Sequence, residues 1–567
     1  MTRRPRLPAS ARTALTFAIV GFVFALPLRE LFRHQGPPME EGFMLAFPDQ
    51  VLDGQLPNRD FLHLYGPGSL WVLAGAFRAF GASLATERVV GLIQLLGIVA
   101  TVTTLALAWG RRVALTAGLL CAIVVIPPVG LAALAWNGGI ALTLGGVAVG
   151  LGARRRGDHA GRLLVGGALA GLGLLFRPDL ALAVALGFGG LALGLGRRGK
   201  VRLLTGTAIG AAPILVHVAL VGPATAIQGM VIDPVFKLRG GRSLPLPPSW
   251  DTLDGALQKG GRFLHPGWSL PAPAEPNQIF IWFFLLLGSV LTVAAVGVWG
   301  YRRDAVVFRH RVLLVVGLFG LGMLPQALQR PDSTHLAWVS CVPLAFLPVA
   351  LRELHLLRRS PREHTSTARP SREVALRPGG DRLGRAGAFL PGAAVLLLVV
   401  LSVPYFTARP WLDYTRQSVL GRGVARWSVD NDGRNFWLSV KSVQEEVQRM
   451  LDDVGRMARP GDRVIVGPTD LRKTPYSDAY LYFLLPDLVP GTRYIEMDPG
   501  VANADDSGLD AEVAATDWLI QSNVWNPWSE PNQSRRFGSA EPNRVVRDRF
   551  CVVRDYGRWY RLLRRCR

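Results

Sequence analysis

Eleven apolar runs, separated by short charged stretches, leave this chain few ways to fold. They are Ala14–Leu28, Arg88–Gly110, Val113–Val129, Leu131–Gly152, Leu163–Phe176, Leu180–Leu195, Leu203–Val221, Gln278–Gly300, Val312–Leu328, Leu336–Leu351 and Phe389–Phe406. A helix that crosses a bilayer needs ~20 mainly apolar residues. Only 18% of the 567 residues are charged, against about 25% in a soluble domain, which argues against a string of ordinary soluble domains. The first run follows Arg3, Arg4, Arg6 and Arg12. Alone it could pass for a signal peptide, but no small-residue cleavage site follows it and ten more runs do, so it is expected to remain as the first span. Several runs are shorter than a full span. The pair flanking Arg177-Pro178-Asp179 is expected to form short helices that meet in a polar cavity. The expected fold is a polytopic α-helical membrane protein of about 11 spans over residues 1–406, followed by a small α/β domain over 407–567.

Charge orients the spans. The chain carries 63 Lys and Arg against 41 Asp and Glu, a net +22, which in another context would suggest nucleic acid. Here the basic residues sit beside apolar runs, so no nucleic-acid partner is expected and the charge reads as a topology signal. With a cytoplasmic N-terminus and every run crossing, the inner loops are Arg111-Arg112, Arg154-Arg155-Arg156, Arg197 to Arg202, Arg302 to Arg311 and Arg352 to Arg385, all basic. The outer loops hold Glu40-Glu41, Asp60, Asp179, Asp233 and Asp332. This is the positive-inside pattern at each step. It predicts a multi-pass protein of a bacterial inner (plasma) membrane with an extracytoplasmic C-terminal domain. Residues 360–385, rich in Pro, Ser, Thr, Arg and Gly, read as a basic cytoplasmic linker that can touch anionic membrane lipid.

The tail alternates element types. Val443–Ala458 has helical periodicity, Pro460-Gly461-Asp462 is a turn, and Arg463–Gly467 is a short β-type run. Tyr476–Leu485 suggests a second helix, Arg493–Met497 and Trp518–Gln521 further strands, and Val545–Leu563 a hairpin turning near Asp555-Tyr556-Gly557. Cys551 sits on one arm of that hairpin and Cys566 just past the end of the other; in an oxidising compartment they either pair or remain two thiols. Cys121 and Cys341 lie in apolar runs and read as packing residues. No Cys-x-x-Cys pair exists, which argues against a cysteine-based zinc or iron–sulfur site.

The most informative polar segment is the long loop after the first span, residues 33–82. It contains Met39-Glu40-Glu41-Gly42-Phe43, Asp53 to Phe61, and Tyr65-Gly66-Pro67-Gly68. Phe43–Leu52 and Pro67–Phe80 are expected to be surface helices. A carboxylate just beyond a spanning helix is placed for general-base work on a hydroxyl, or for holding a divalent cation. The plainer reading is that Glu40 and Glu41 are loop acids or favour the start of the following helix through its dipole. By spacing alone the plainer reading is favoured.

These motifs resemble the first outer loop of GT-C glycosyltransferases, polytopic enzymes that use polyprenyl-phosphate sugars and include protein O-mannosyltransferases, lipid A aminoarabinose transferases and actinobacterial arabinosyltransferases. The pattern is an acidic pair, a short helix, a G-x-x-P-x-x-D-F stretch, a G-P turn and an amphipathic helix. Here it stands as Glu40-Glu41-Gly42, Gly54-Gln55-Leu56-Pro57-Asn58-Arg59-Asp60-Phe61 and Tyr65-Gly66-Pro67-Gly68. The family usually begins its pair with Asp; Glu40 stands there, so the acting carboxylate is left between Glu40 and Glu41. The resemblance covers residues 1–406, with specific motifs only in the loop. It implies a polyprenyl-phosphate sugar donor, an envelope acceptor (glycan, lipid or protein) and inverting transfer with a carboxylate base. Any metal, a divalent cation such as Mg or Mn, would sit at Glu40 or Glu41.

Further polar spots extend the expected substrate-binding set. Arg330-Pro331-Asp332-Ser333-Thr334-His335 lies between two apolar helices on the outer side, where ionisable groups usually face a cavity. Arg330 and His335 are expected to grip a lipid phosphate; the alternative is a surface salt bridge from Arg330 to Asp332. Lys237 and Arg239 are placed for the same task. Arg177-Pro178-Asp179 is either a second polar anchor or a capped turn. His63, near Tyr65, joins Asp60 and Tyr65 as loop candidates, and Arg88 reads as an interfacial anchor. Gly145-Gly146 and Gly166-Gly167 precede no Walker lysine and read as helix-packing positions. Trp71, Trp136, Trp268, Trp282 and Trp338 suit interfacial belts or a sugar platform, the belt being the more usual.

Two other classes of function compete with an enzyme. A lipid-linked glycan transporter or flippase predicts internal repeats and charges at mid-span, whereas no clear repeat is visible and the polar motifs lie at the outer rim. A membrane-anchored envelope assembly protein leaves the outer-loop motif without a purpose. High Arg, Gly and Ala with little Lys fits a GC-rich genome such as an actinobacterial one.

Overall fold

The computed structural model describes residues 9–156, 160–246, 270–359, 390–422, 426–474, 476–526 and 530–566. The linker expected at 360–385 and Trp268 lie outside the described residues. All eleven apolar runs fall on helices: Ala9–Ala25, Leu84–Ala106, Arg111–Val125, Ala135–Arg156, Ala160–Phe176, Ala181–Ala192, Arg197–Ala211 continued by Pro213–Val221, Glu275–Arg303, Phe308–Gln329, Ser333–Arg359 and Leu390–Ser402. Among the described residues six helices have the length and apolarity to cross a membrane, and several apolar helices are shorter. The chain is a polytopic α-helical membrane protein with a C-terminal sheet region.

Small residues decide how closely the helices pack. A Cβ on Gly171 would lie 2.2 Å from the Thr207 carbonyl oxygen, and one on Gly210 2.0 Å from that of Ala168. The helices Ala160–Phe176 and Arg197–Ala211 therefore meet backbone to backbone, as small-residue membrane interfaces do.

The outer loop contains the helices Glu40–Leu52 and Gly68–Phe80. The first begins three residues before its apolar periodicity does, which puts Glu40 and Glu41 in its first turn, where the dipole favours negative charge.

In the tail, β1 (Trp427–Asn431) and β2 (Arg434–Leu438) form an antiparallel hairpin that the sequence reading lacked. The helix Lys441–Met457 leads through the Pro-Gly-Asp turn into β3 (Arg463–Pro468). Together with β4 (Val489–Pro490), β5 (Trp518–Ser522), β6 (Phe550–Tyr556) and β7 (Tyr560–Arg565), it forms a sheet of order β4-β3-β5-β7-β6. β3 runs parallel to both its neighbours, and β7 runs antiparallel to β5 and β6. The helix Glu541–Arg549 takes the first residues of the expected hairpin, and Cys551 and Cys566 are joined by a disulfide.

Arg493–Met497 is a turn rather than the expected strand. Its backbone docks outward, with the Arg493 carbonyl accepting from Leu62 N–H at 2.9 Å. The edge position it would need is held by the short β4, whose Pro490 has no N–H to extend a ladder.

The tail packs directly on the outer loop. A Cβ on Gly42 would meet Tyr480 N at 2.3 Å, so only glycine lets the helix Glu40–Leu52 lie against the short helix Tyr480–Leu484. An apolar cluster holds Leu62 and Leu64 of the loop together with Ile465, Tyr494, Met497 and Leu519 of the tail. Asp49 forms an ion pair with Arg434, and Gln35 Oε1 accepts from Ser439 N–H at 2.8 Å.

Candidate active site

These packing relations leave one polar cavity of ≈ 240 Å³ between the outer loop, the Arg177 and Arg330 corners, the segment before residue 243 and the tail turn around Glu496. Glu40 and Glu41, adjacent in sequence, fall on opposite sides of its wall. Glu40 lines the cavity, and its Oε2 is shut off from solvent with no hydrogen-bond partner. Burial pushes its carboxyl up to about 7, with the nearby Arg242 pulling the other way. A carboxyl near neutrality can take and return a proton at working pH. Glu41 points away into the protein. It is 1% exposed, and Arg88 forks onto it, Nε to Oε1 at 2.7 Å and Nη2 to Oε2 at 2.8 Å. Arg88 also donates to the carbonyls of Leu31 and His34, so it is a buried clamp on the outer loop rather than an interfacial anchor.

The two Arg-Pro-Asp corners share a local geometry. Arg177 (φ −140°, ψ 93°) and Arg330 (φ −144°, ψ 87°) are both extended, as the following proline demands. Each then turns its guanidinium onto the aspartate two residues on: Arg177 to Asp179 at 2.9 and 2.5 Å, Arg330 to Asp332 at 2.6 Å. Beyond that they diverge. Arg177 lies between two rings, 3.9 Å from the Tyr65 centroid and 4.2 Å from that of Trp136. Trp136 stacks in turn on Trp338 at 5.2 Å, and His335 meets Trp338 edge-on. These tryptophans line the cavity and are buried, so they form neither a membrane belt nor an open platform.

Arg330 has every N–H direction answered by protein. Besides Asp332, it donates to Glu530 at 2.5 and 2.8 Å, to the Arg242 carbonyl at 2.6 Å and to Tyr476 Oη at 3.2 Å. The expected grip of Arg330 on a phosphate gives way to a buried junction with the tail. His335 keeps its position on the cavity, held by Asp332 Oδ1, which accepts from its Nδ1 and its backbone N–H, both at 2.8 Å. Burial alone would raise the Asp332 carboxyl, but His335 and Arg330 outweigh it and hold it below the usual carboxylate range. An ionised Asp332 accepts from Nδ1–H, which leaves Nε2 as the ring's other polar atom.

Cationic character at the mouth comes from the segment before residue 243. Gln228–Lys237 is π-helical around Pro234, and Leu238–Arg242 continues as α-helix. Arg239 and Arg242, at i and i+3, line the cavity, whereas Lys237 turns outward and forms a 3.7 Å ion pair with Asp233. Arg239 is exposed and makes no ion pair among the described residues. Arg242 is bound to Asp498 Oδ1 at 2.5 Å. Asp498 and Glu496, both buried, enter the cavity from the tail turn. Burial, with Asp498 beside it, raises the Glu496 carboxyl well above its ordinary range. Sequence reasoning missed Arg242, Glu496 and Asp498. Their signals were the i, i+3 spacing from Arg239 and the acids alternating with apolar residues in Ile495-Glu496-Met497-Asp498.

The remaining loop candidates lie off the cavity wall. Asp60 pairs with Arg59 at 2.8 Å and accepts from Leu56 N–H at 2.7 Å, which closes its own turn. His63 is fully buried between Phe47 and Tyr65; burial pushes its imidazole down to about 3, so it stays neutral. Tyr65 alone of this stretch reaches both Arg177 and the cavity. Among the described residues no three His, Cys, Asp or Glu side chains converge as a metal-binding set, at Glu40 and Glu41 or elsewhere.

No protein-family model matches the chain, and no curated protein matches it. Solved structures do. ArnT from Cupriavidus metallidurans bound to undecaprenyl phosphate superposes with a TM-score of 0.51 at 13% identity, over 98% of each chain. The archaeal oligosaccharyltransferase AglB from Archaeoglobus fulgidus, in complex with an inhibitory peptide and a dolichol-phosphate, gives 0.44 at 12% identity over 90% of this chain and 70% of that one. The likeness to ArnT along nearly the whole of both chains places this protein in the GT-C fold that the outer-loop motifs predict.

Proposed function

We propose that this protein is a membrane glycosyltransferase that moves a sugar from a polyprenyl-phosphate donor to an acceptor hydroxyl at the outer face of a bacterial inner membrane. The observation that carries the reading is the cavity itself. It sets an unpartnered carboxylate oxygen of Glu40 opposite the cationic and aromatic residues Arg239, His335, Arg177 and Trp338. The fold supports it, since ArnT carries undecaprenyl phosphate. The basic inner loops and the tail disulfide support an N-terminus in the cytoplasm and a tail outside.

In this mechanism Arg239 faces the donor phosphate, where charge grows as the glycosidic bond breaks, and His335 lies beside it on the cavity wall. Asp332 keeps His335 oriented, and Arg330 positions Asp332. Glu40 Oε2 takes the proton of the acceptor hydroxyl. The acceptor oxygen then bonds to the anomeric carbon while the carbon–oxygen bond to phosphate breaks, its electron pair leaving with polyprenyl phosphate. One displacement inverts the anomeric configuration. Glu41 has no part in the chemistry; it holds the loop through Arg88. No step is routed through a metal ion.

The test uses purified protein, radiolabelled polyprenyl-phosphate sugars and envelope extract as acceptor. Glu40→Gln is expected to lose turnover by ~10²–10⁴-fold, the range of a general base, while unfolding at the wild-type temperature. Wild-type turnover should rise as pH passes upward through about 7, because only the deprotonated Glu40 accepts a proton. Absence of turnover with every donor by folded wild type would count against a transferase and for the lipid-linked glycan transporter or assembly protein.

A further inference from the structure

The two tail carboxylates in the cavity have no role in the mechanism so far. Glu496 is 4% exposed and Asp498 1%, and both line the cavity. One oxygen of each, Glu496 Oε1 and Asp498 Oδ2, is closed off from solvent and has no hydrogen-bond partner. Buried polar atoms of this kind are few in native proteins, and each asks for an explanation. Across the same space Glu40 Oε2 is in the same condition. Three residues from two distant parts of the chain, each with an unpartnered carboxyl oxygen, thus line one cavity.

The chemistry of the donors can be narrowed. A phosphate diester has no donor to offer these acceptor oxygens. A cation is not required by charge, because Asp498 already faces Arg242. Carboxyl oxygens without a partner are acceptors, and a ring of hydroxyl groups supplies donors to them. At ≈ 240 Å³ the space falls below the ~300–1,000 Å³ of sites for drug-sized ligands, which fits one sugar ring.

We infer that Glu496 and Asp498 hold the hydroxyl groups of the donor's sugar, so that the tail, and not the membrane helices alone, sets which sugar is transferred. The inference rests on the transferase reading above, and its test separates the two. Full-length protein in lipid nanodiscs is titrated with undecaprenyl phosphate and with undecaprenyl-phosphate pentoses, hexoses and amino sugars. The wild type is expected to bind at least one neutral-sugar donor about tenfold more tightly than the sugar-free lipid, on the scale of one buried hydrogen bond to a charged group. Glu496→Leu and Asp498→Ala are expected to keep the affinity for undecaprenyl phosphate, which also shows that they are folded, and to lose the sugar preference.

Retention of the full sugar preference by Glu496→Leu and Asp498→Ala overturns the inference. So do variants that lose sugar-bearing and sugar-free lipid equally, and so does a wild type that binds amino-sugar donors alone, since that marks a cation site. Glu496→Gln, which keeps a donor and an acceptor at the same reach, is expected to retain most of the preference, and its losing the preference as fully as Glu496→Leu overturns the inference too. A wild type that binds no lipid phosphate of any kind removes the transferase reading itself.

Discussion

The same tripeptide occurs at two corners of the cavity and does two different things. At Arg177-Pro178-Asp179 and Arg330-Pro331-Asp332 the proline imposes the same extended arginine, and the arginine folds onto the same i+2 aspartate. The first guanidinium is then stacked between Tyr65 and Trp136, and its aspartate stays 37% exposed, accepting from Gln326 at 2.8 Å. The second guanidinium is enclosed by Glu530, Tyr476 and the Arg242 carbonyl, and its aspartate is given to His335. A local motif fixes where the charge is presented. What arrives opposite it, aromatic rings in one case and a tail carboxylate in the other, decides whether it lines a site or joins two parts of the molecule.

The sharpest way to break this comparison is to substitute the arginines in turn. Arg330→Met leaves Glu530 buried without its partner and should cost ~3–5 kcal/mol, seen as a lower unfolding temperature and a tail open to protease. The double variant with Glu530→Gln should recover part of that loss. If the tail stays as resistant as in the wild type, the junction is not what holds it.

Asp332→Asn removes a charge-assisted acceptor and is expected to cost ~1.5–3 kcal/mol near neutral pH. The sign of its pH dependence follows from the carboxyl being held below its ordinary range. Its stabilisation is complete above the unfolded-state value of about 3.9 and is lost as pH falls through the folded-state value. The gap between wild type and variant in denaturant unfolding should therefore be flat above about pH 5 and narrow below about pH 4. A gap that widens in acid would contradict the assignment.

Arg177→Lys gives up the two-ring stack and the fork, a loss of about 2 kcal/mol for a desolvated cation–π site, read as a lower unfolding temperature with the tail as protease-resistant as in the wild type. Asp179→Asn should do least, ~0–1 kcal/mol, as expected for a partly exposed ion pair. Equal effects at Asp179 and Asp332 would erase the distinction between the corners.

These contrasts also mark how far sequence carries. Apolar runs, the outer-loop helices and the Arg463–Gly467 strand were legible because their signal is local: periodicity, a turn, a cluster of β-branched residues. The acidic pair and both Arg-Pro-Asp motifs were legible as polar groups near the membrane rim. Their division of labour was not, because it depends on partners far away in the chain, Arg88 for Glu41 and Glu530 for Arg330. Residues 493–497 read as a strand for the same reason. Their alternation is real, but it is used to send Glu496 into a cavity instead of to face a sheet. The hairpin β1–β2 was missed although its signal is local: Asp432-Gly433 is a two-residue turn between Trp427, Val429 and Phe436, Trp437, residues of good strand propensity.

The arrangement has a consequence for the order in which the molecule is made. Glu496, Asp498 and Glu530 follow every apolar helix in the chain, so a nascent chain already carries Glu40 and His335 long before the tail side of the cavity exists. During synthesis the site is half a mould. It becomes a closed chamber only after the helix Leu390–Ser402 has been inserted and the tail has folded back on the loop that emerged near the start. Vectorial assembly thus delays completion of the cavity to the final step.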